Sequence, residues 1–439
     1  MRARSLHRFG ATMWITVAVL VAVLAVFGVI ALTFFTRGTP VKRLRVIDHG
    51  GDWRPVSDPR FCEVFSTLTN TAIAGGNRVE ILANGEGVFP RLWDDLESAE
   101  DLITWHVFWF KPGELADRLA DILVERSRAG VDVLFLYDYV GSIGVPDAYY
   151  DRLREAGVEV SVFRKPRWNR LYKFQQRMHT RAVVIDGRIG YTGGFAIADE
   201  WSGDGRHPDQ WRDTSVRLEG PIVGRLQTSF VSNWAEACGE LLVGERVFPA
   251  DGDEPGATTA GLMFDAPSLG STNAERFFVL SIGAARERLY LTNPYFVPDQ
   301  HFRRALIDAV DRGVDVRVLT PGRNNDRMST YHAARAHYEE LIEGGVRLYD
   351  YGPTMVHAKT LVADGIWASV GTVNFDNRSM VLNDEVAMVA RDPACGEALE
   401  RLFLEDLEHA HEVTLDELRE RGALERLKER FYLVFSPLL

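Results

Sequence analysis

The chain is poor in cysteine. Cys62, Cys238 and Cys395 are the three among 439 residues, far apart and without metal-ligand spacing. That excludes a disulfide scaffold and a thiolate metal centre, and leaves them as small apolar residues for a core. An excess of basic charge is lacking too, since 50 Lys and Arg against 62 Asp and Glu leave a net charge of −12. Coating nucleic acid rests on neutralising phosphates, so that task is excluded as the main one, although a local basic groove is not. Apolar residues are not scarce. With 46% hydrophobic and 26% charged residues the composition is that of a folded protein, and the length suffices for two domains with their own cores.

Long uncharged runs are absent except at the start. Met13 to Phe35, "MWITVAVLVAVLAVFGVIALTFF", is long enough to cross a hydrocarbon core of roughly 30 Å as a helix. It is too long and uniform for an ordinary cleavable signal, and no A-x-A-like site closes it. Arg2, Arg4 and Arg8 flank one end, and Arg37, Lys42, Arg43 and Arg45 the other, so the charge rule leaves orientation open. Residues 1–40 are expected to be an N-terminal membrane anchor with its helix at about 13–35. Single-pass attachment to the cell membrane follows, with the side of the remaining chain undetermined.

The rest repeats itself. "LADRLADILVERSRAGVDVLFLYD" from Leu115 and "RRALIDAVDRGVDVRVLTPG" from Arg303 each read as amphipathic helix, Gly turn and β-branched strand. "LREAGVEVSVF" at Leu153 is answered by "LIEGGVRLYDY" at Leu341, and two histidine stretches follow in the same order. The offset runs from 178 residues (His179 to His357) to 188 (Leu153 to Leu341), as a duplication with loop insertions would give. Alternating strands and helices imply a mixed or parallel sheet covered by helices. The expected layout is a connector at 41–70 with little pattern, a first unit at 71–245, a Gly/Pro/Asp-rich linker at 246–260 and a second unit at 261–439. The charged C-terminal stretch from Thr414 is expected to be a packed helix.

The histidine stretches carry the chemistry. His357, Lys359 and Asp364 stand as H-x-K-x-x-x-x-D in "VHAKTLVADG", and His179, Arg181 and Asp186 match them in "MHTRAVVIDG". On an extended strand, positions i and i+2 share a face, so each histidine and its neighbouring cation reach one ligand, an anion. Gly371, Thr372 and Asn374 downstream in one copy, and Gly193 and Gly194 in the other, offer close backbone approach and a neutral donor. A lone histidine of this kind is more often a core residue. Two at matching points of a duplicated unit are better read as one shared site, one imidazole a nucleophile and the other an acid, needing neither metal nor cofactor. Asp213 and Glu385, each just before a strand, are the candidate partners that fix the tautomers.

Paired motifs of this form in a duplicated α/β chain resemble the phospholipase D superfamily, and within it bacterial cardiolipin synthases. "NPYFVPD", "HAKTLVADG", "VGTVNFDNRSMVLNDE" and the terminal "SPLL" carry the likeness from about Val79 onward. It implies two tandem phospholipase D-like α/β domains (mixed sheet flanked by helices, pseudo-twofold) after an N-terminal transmembrane helix. It also implies a phosphatidyl-histidine intermediate on His179, with His357 as general acid, Lys359 and Asn374 on phosphate, and Asp186 and Asp364 in the motif framework. Gly194, Thr372, Asp213 and Glu385 complete the expected substrate-binding set. The implied substrate is phosphatidylglycerol at a membrane, with no nucleic acid. Hydrolysis of another phospholipid, or lipid binding without catalysis through an altered first motif, are the alternatives. The chain departs from the family where a lysine becomes Arg181 and an asparagine becomes Ala196.

The stretch Phe163 to His179 is rich in basic and aromatic residues and is expected to meet lipid headgroups. Arg323, Asn324 and Asn325 stand open between headgroup contact and plain loop, and His106 reads as core.

Overall fold

The computed structural model describes residues 14–21, 24, 25, 28, 39–47, 53–166, 176–250, 254–266 and 271–436. Within the expected membrane helix, residues 14–21, 24, 25 and 28 are helical, and the rest of 13–35 lies outside the described residues. No helix among the described residues is long and apolar enough to cross a membrane.

The two repeats form one sheet of 15 strands. In the first repeat the order runs inward from the edge as Glu159–Phe163, Asp132–Asp138, Leu102–Val107, Ala182–Ile185, Ile189–Gly193, Thr214–Glu219 and Ile73–Ala83. The second mirrors it from Thr258–Asp265 outward through Glu385–Arg391, Trp367–Gly371, Thr360–Ala363, Arg288–Thr292, Asp315–Thr320 and Arg347–Tyr351, with Ala410–Glu412 added at its edge. Ile73–Ala83 pairs antiparallel with Thr258–Asp265 at the join. In each half the three strands farthest from the join that the repeats share run parallel, because a helix carries the chain back between them. Those helices, Glu114–Arg128 and Gln300–Asp311, bury one face each, Leu119 and Leu123 in the first, Phe302 and Leu306 in the second.

The stretch expected to be a plain connector departs from that reading. It carries the helix Pro59–Thr69, capped by the Asp58 side chain, which accepts from the Arg60 N–H. Phe61 and Phe65, one turn apart, set their rings 4.9 and 4.8 Å from that of Trp367, so this helix completes the core of the second repeat. The strand Thr258–Asp265 likewise begins inside the expected linker. Of the cysteines, Cys395 is buried and Cys62 partly so, but Cys238 is exposed at a helix end, contrary to the expectation of three core residues. His106 is buried without a partner for either ring nitrogen, and burial followed by the Arg181 charge holds it down to about 3. It is a neutral core residue.

The C-terminal helix Ala423–Leu433 packs as expected, with Tyr432 stacked on His332 at 5.5 Å. Its other face leaves Leu424, Leu427, Phe431 and Val434 exposed.

Candidate active site

Each histidine sits at the mouth of a strand and is clamped by the other repeat. Met178 bridges to Asp384, and the His179 N–H donates to the Asp384 carbonyl at 3.0 Å. Symmetrically, Val356 bridges to Arg212, and the His357 N–H donates to the Arg212 carbonyl at 2.7 Å. These clamps exchange the acids between repeats. His179 Nδ1 donates to both Glu385 oxygens at 2.9 Å across 206 positions of sequence, and His357 Nδ1 donates to Asp213 Oδ2 at 2.9 Å across 144. With its proton on Nδ1, each ring turns an Nε2 lone pair toward the site.

The cation two positions on lies against each ring, and Lys359 Nζ, 3.0 Å from His357 Nδ1 as well, rests over the ring between its two nitrogens. Lys359 Nζ lies 2.8 Å from His357 Nε2 and donates to the His357 carbonyl at 2.6 Å. Arg181 Nη1 lies 3.1 Å from His179 Nε2 and donates to the His179 carbonyl at 2.8 Å. Arg181 shares with Lys359 the bond to the carbonyl of its own histidine but meets Nε2 alone, its Nε donating to the Phe195 carbonyl at 3.2 Å. Burial first, then the Arg181 and Lys359 charges, hold His179 well below the ordinary imidazole range. Burial and Lys359 hold His357 down to about 3 against the pull of Asp213. Burial also lowers Lys359 well below its ordinary range. Both imidazoles are therefore held neutral. Burial raises Glu385 to about 7, opposed by donors from Ser379 and Thr372. Asp213, although its burial pushes it up, is lowered overall by His357.

The acids are held differently. Ser379 Oγ donates to Glu385 Oε1 at 2.6 Å, with further donors from Thr372 Oγ1 and, at 3.3 Å, Asn383 Nδ2. Asp213 accepts from Trp201 Nε1 at 2.7 Å and from the Thr214 N–H at 2.7 Å. Gly194 is required beside it, because a Cβ there would stand 2.0 Å from Asp213 Oδ1. The Ala196 departure has a structural counterpart here. By the 178-residue offset, Ala196 corresponds to Asn374 and Trp201 to Ser379, so the Asn–Ser pair, joined at 3.2 Å, is replaced by a small residue and a large indole that takes over the bond to the acid. Trp201→Phe strips a donor from a buried carboxylate and is expected to cost about 1–3 kcal/mol in thermal melting. Trp211→Phe, on a half-buried ring with no such bond, should cost less.

Several expected roles move. Asp186 and Asp364 are not at the site: Asp186 accepts the N–H groups of Glu100, Asp101 and Leu102 at 2.8–2.9 Å, and Asp364 those of Arg286, Glu287 and Arg288 at 2.8–3.2 Å. Each begins a hairpin turn with φ near 52° at the far end of its strand. Thr372 spends its hydroxyl on Glu385 and Val386, and Asn374 gives its amide to Ser379 and leaves Oδ1 buried and unpartnered. Asp213 and Glu385 bind the histidines, as tautomer partners do, rather than facing a ligand. Arg164, expected on headgroups, forms a two-pronged pair with Glu236 at 2.8 Å; residues 167–175 of that basic stretch lie outside the described residues. Asn324 and Asn325 donate to backbone carbonyls of Tyr351, Gly352 and Pro294, as loop residues.

The two histidines open onto different surroundings. His179 borders a narrow cavity of about 40 Å³ shared with Tyr295, Arg177, Arg327 and Arg378. Trp201 and Trp211 pack their rings 5.0 and 5.6 Å from His357. The three arginines were not singled out from sequence, although Arg327 and Arg378 stand in stretches read for neighbouring asparagines. Among the described residues no group of His, Cys, Asp and Glu is arranged to hold a metal.

Two neutral imidazoles, each oriented by an acid of the opposite repeat and each beside a cation, make up the candidate active site of a phospholipase D-like chain. Residues 279–407 match the family described as "Cardiolipin synthase, PLD-like domain". The chain is 36% identical over 83% of its length to Cardiolipin synthase A of Pseudomonas fluorescens (strain SBW25), covering 75% of that protein. It is 35% identical over 88% to Cardiolipin synthase A of Pseudomonas aeruginosa (strain LESB58), covering 81%. Phosphatidylserine synthase from Haemophilus influenzae Rd KW20 shares the fold, with a TM-score of 0.67 at 13% identity over 87% of this chain and all of that one. The chain belongs to the cardiolipin synthase family.

Proposed function

We propose that the protein is a phosphatidyltransferase that joins two phosphatidylglycerols into cardiolipin and glycerol through a phosphohistidine. The observation that carries the assignment of roles is that His179 borders a cavity lined by Arg177, Arg327 and Arg378, whereas the rings of Trp201 and Trp211 pack against His357.

In this reading Arg327, Arg378 and Arg181 receive the phosphate, whose charge offsets theirs, while Arg177 stays paired with Asp138 at 3.3 Å. The bound phosphate anion offsets the neighbouring cations, so that His357 takes up a proton from solvent on Nε2; His179 Nε2 then attacks phosphorus as the bond to glycerol oxygen breaks, and that proton goes to the departing oxygen. Glycerol departs. His357 then takes the proton from a hydroxyl of the second phosphatidylglycerol, whose oxygen attacks phosphorus and breaks the P–N bond. Glu385 stabilises the positive charge that forms on His179, and Lys359 holds negative charge near His357. The uncharged run 13–35 anchors the chain in the membrane. The exposed row of Leu424, Leu427, Phe431 and Val434 supports contact with a lipid surface.

Mass spectrometry of lipids after incubating the detergent-solubilised full chain with phosphatidylglycerol tests this. Cardiolipin and glycerol are expected. Phosphatidic acid in their place would make water the acceptor, and no product from any phospholipid would sink the enzymatic reading in favour of lipid binding alone.

A further inference from the structure

A second cavity, ten times larger than the one at His179 at about 400 Å³, lies between segment 39–47 and the helices Asn273–Ala284 and Gln300–Asp311. That volume is in the range of small-molecule sites. It shares no lining residue with the cavity at His179.

Its charge is opposite to that of the whole chain. Lys42, Arg43, Arg286, Arg304 and Arg312 line it, with Asp308 as the single carboxylate. Asp308 is paired with Arg304 at 2.8 Å. Arg286 donates to the carbonyls of Gly283, Ala285 and Trp53, which solvate its charge without cancelling it. Val279, Ile282, Ala305 and Trp53 supply an apolar wall beside these cations.

The segment that brings Lys42 and Arg43 is seated rather than loose. The Val41 N–H donates to Glu275 Oε2 at 3.2 Å and Trp53 Nε1 to the Leu280 carbonyl at 3.2 Å. Leu44 occupies the space over Gly283, where a Cβ would come within 2.8 Å of its Cδ2. Five residues stand between Phe35, the end of the uncharged run, and Val41, a reach of at most about 22 Å over the six steps. A membrane-inserted run therefore delivers this cleft to the headgroup layer.

We infer that this cleft is a second lipid site, binding the phosphate of an anionic phospholipid with its cations and the adjoining glycerol or chain with its apolar wall. The inference rests on the membrane anchoring proposed above, and it concerns a site that the transfer reaction does not use.

The test is native mass spectrometry of the full chain in non-ionic detergent, in the His179→Ala background so that bound lipid is not consumed. Lys42→Ser/Arg43→Ser/Arg304→Gln is expected to lose one bound phosphatidylglycerol, the lipid at the catalytic site remaining, and to leave phosphatidylcholine unchanged. Lys42→Arg/Arg43→Lys should retain it. Equal phosphatidylglycerol retention by the triple variant would overturn the site. Displacement by millimolar inorganic phosphate would make free phosphate the ligand and overturn the lipid assignment. Loss in the charge-conserving variant would mean that the segment had merely come off. Retention is read apart from turnover, so a wild-type protein that makes no cardiolipin would overturn the proposed reaction and leave this result standing.

Discussion

Replacing His179 with alanine is expected to lower cardiolipin formation at least about 10⁴-fold and to abolish protein-bound phosphate trapped under acid-free quenching. Both follow from one atom. Nε2 of His179 is the unprotonated nitrogen facing the arginine-walled cavity, and removing a nucleophile leaves only binding and charge stabilisation. His357→Ala should behave differently. It removes a proton donor, worth about 10²–10⁴ in rate, but leaves the nucleophile in place, so label should still be captured on His179, slowly. Phosphopeptide mapping separates the cases: label that persists in His179→Ala and vanishes in His357→Ala would exchange the two roles.

Glu385→Gln and Asp213→Asn should each cost about 10²–10⁴ in turnover, because an amide no longer fixes the Nδ1–H tautomer. Their effects are expected to cross between repeats. Glu385 orients His179 and Asp213 orients His357, so Glu385→Gln should resemble loss of the nucleophile and Asp213→Asn loss of the acid. A nitrophenyl phosphodiester, whose leaving group departs without a proton, tells them apart. It should restore much of the rate of Asp213→Asn and little of that of Glu385→Gln. Rescue in the reverse sense would show that the nucleophile is His357.

Much of this was legible in the sequence, and what was not has physical causes. The helix–Gly–strand repeats announced the parallel strands because helical and strand periodicity survive in a single sequence. Both histidines, both cations and both acids were found for a similar reason, since each stands at a strand mouth in matching places. The exchange of acids was not legible, because it depends on the long-range bridges Met178 to Asp384 and Val356 to Arg212. Asp186 and Asp364 were grouped with the histidines by spacing along the chain. Seven residues of extended backbone, however, span about 23 Å, which puts them at the opposite end of the strand. Phe61 and Phe65 one turn apart behind an Asp-Pro start were a helix signal in a stretch judged patternless. Arg378 lies in the five-residue helix Asn377–Val381 and Arg327 just before the helix Met328–Arg335, where too few residues repeat for periodicity to mark which side chain turns inward.

The crossed clamps also bear on how such a chain is inherited. Neither repeat holds a complete machine: a product ending before the join would carry an imidazole with no acid to aim it, and so would the remainder alone. Because each half aims the other's ring, substitutions near one acid are tested by selection at the distant histidine. Trp201 of the first repeat bonds the acid that aims His357, so a change at that indole is felt 156 positions away, at the ring of the second repeat.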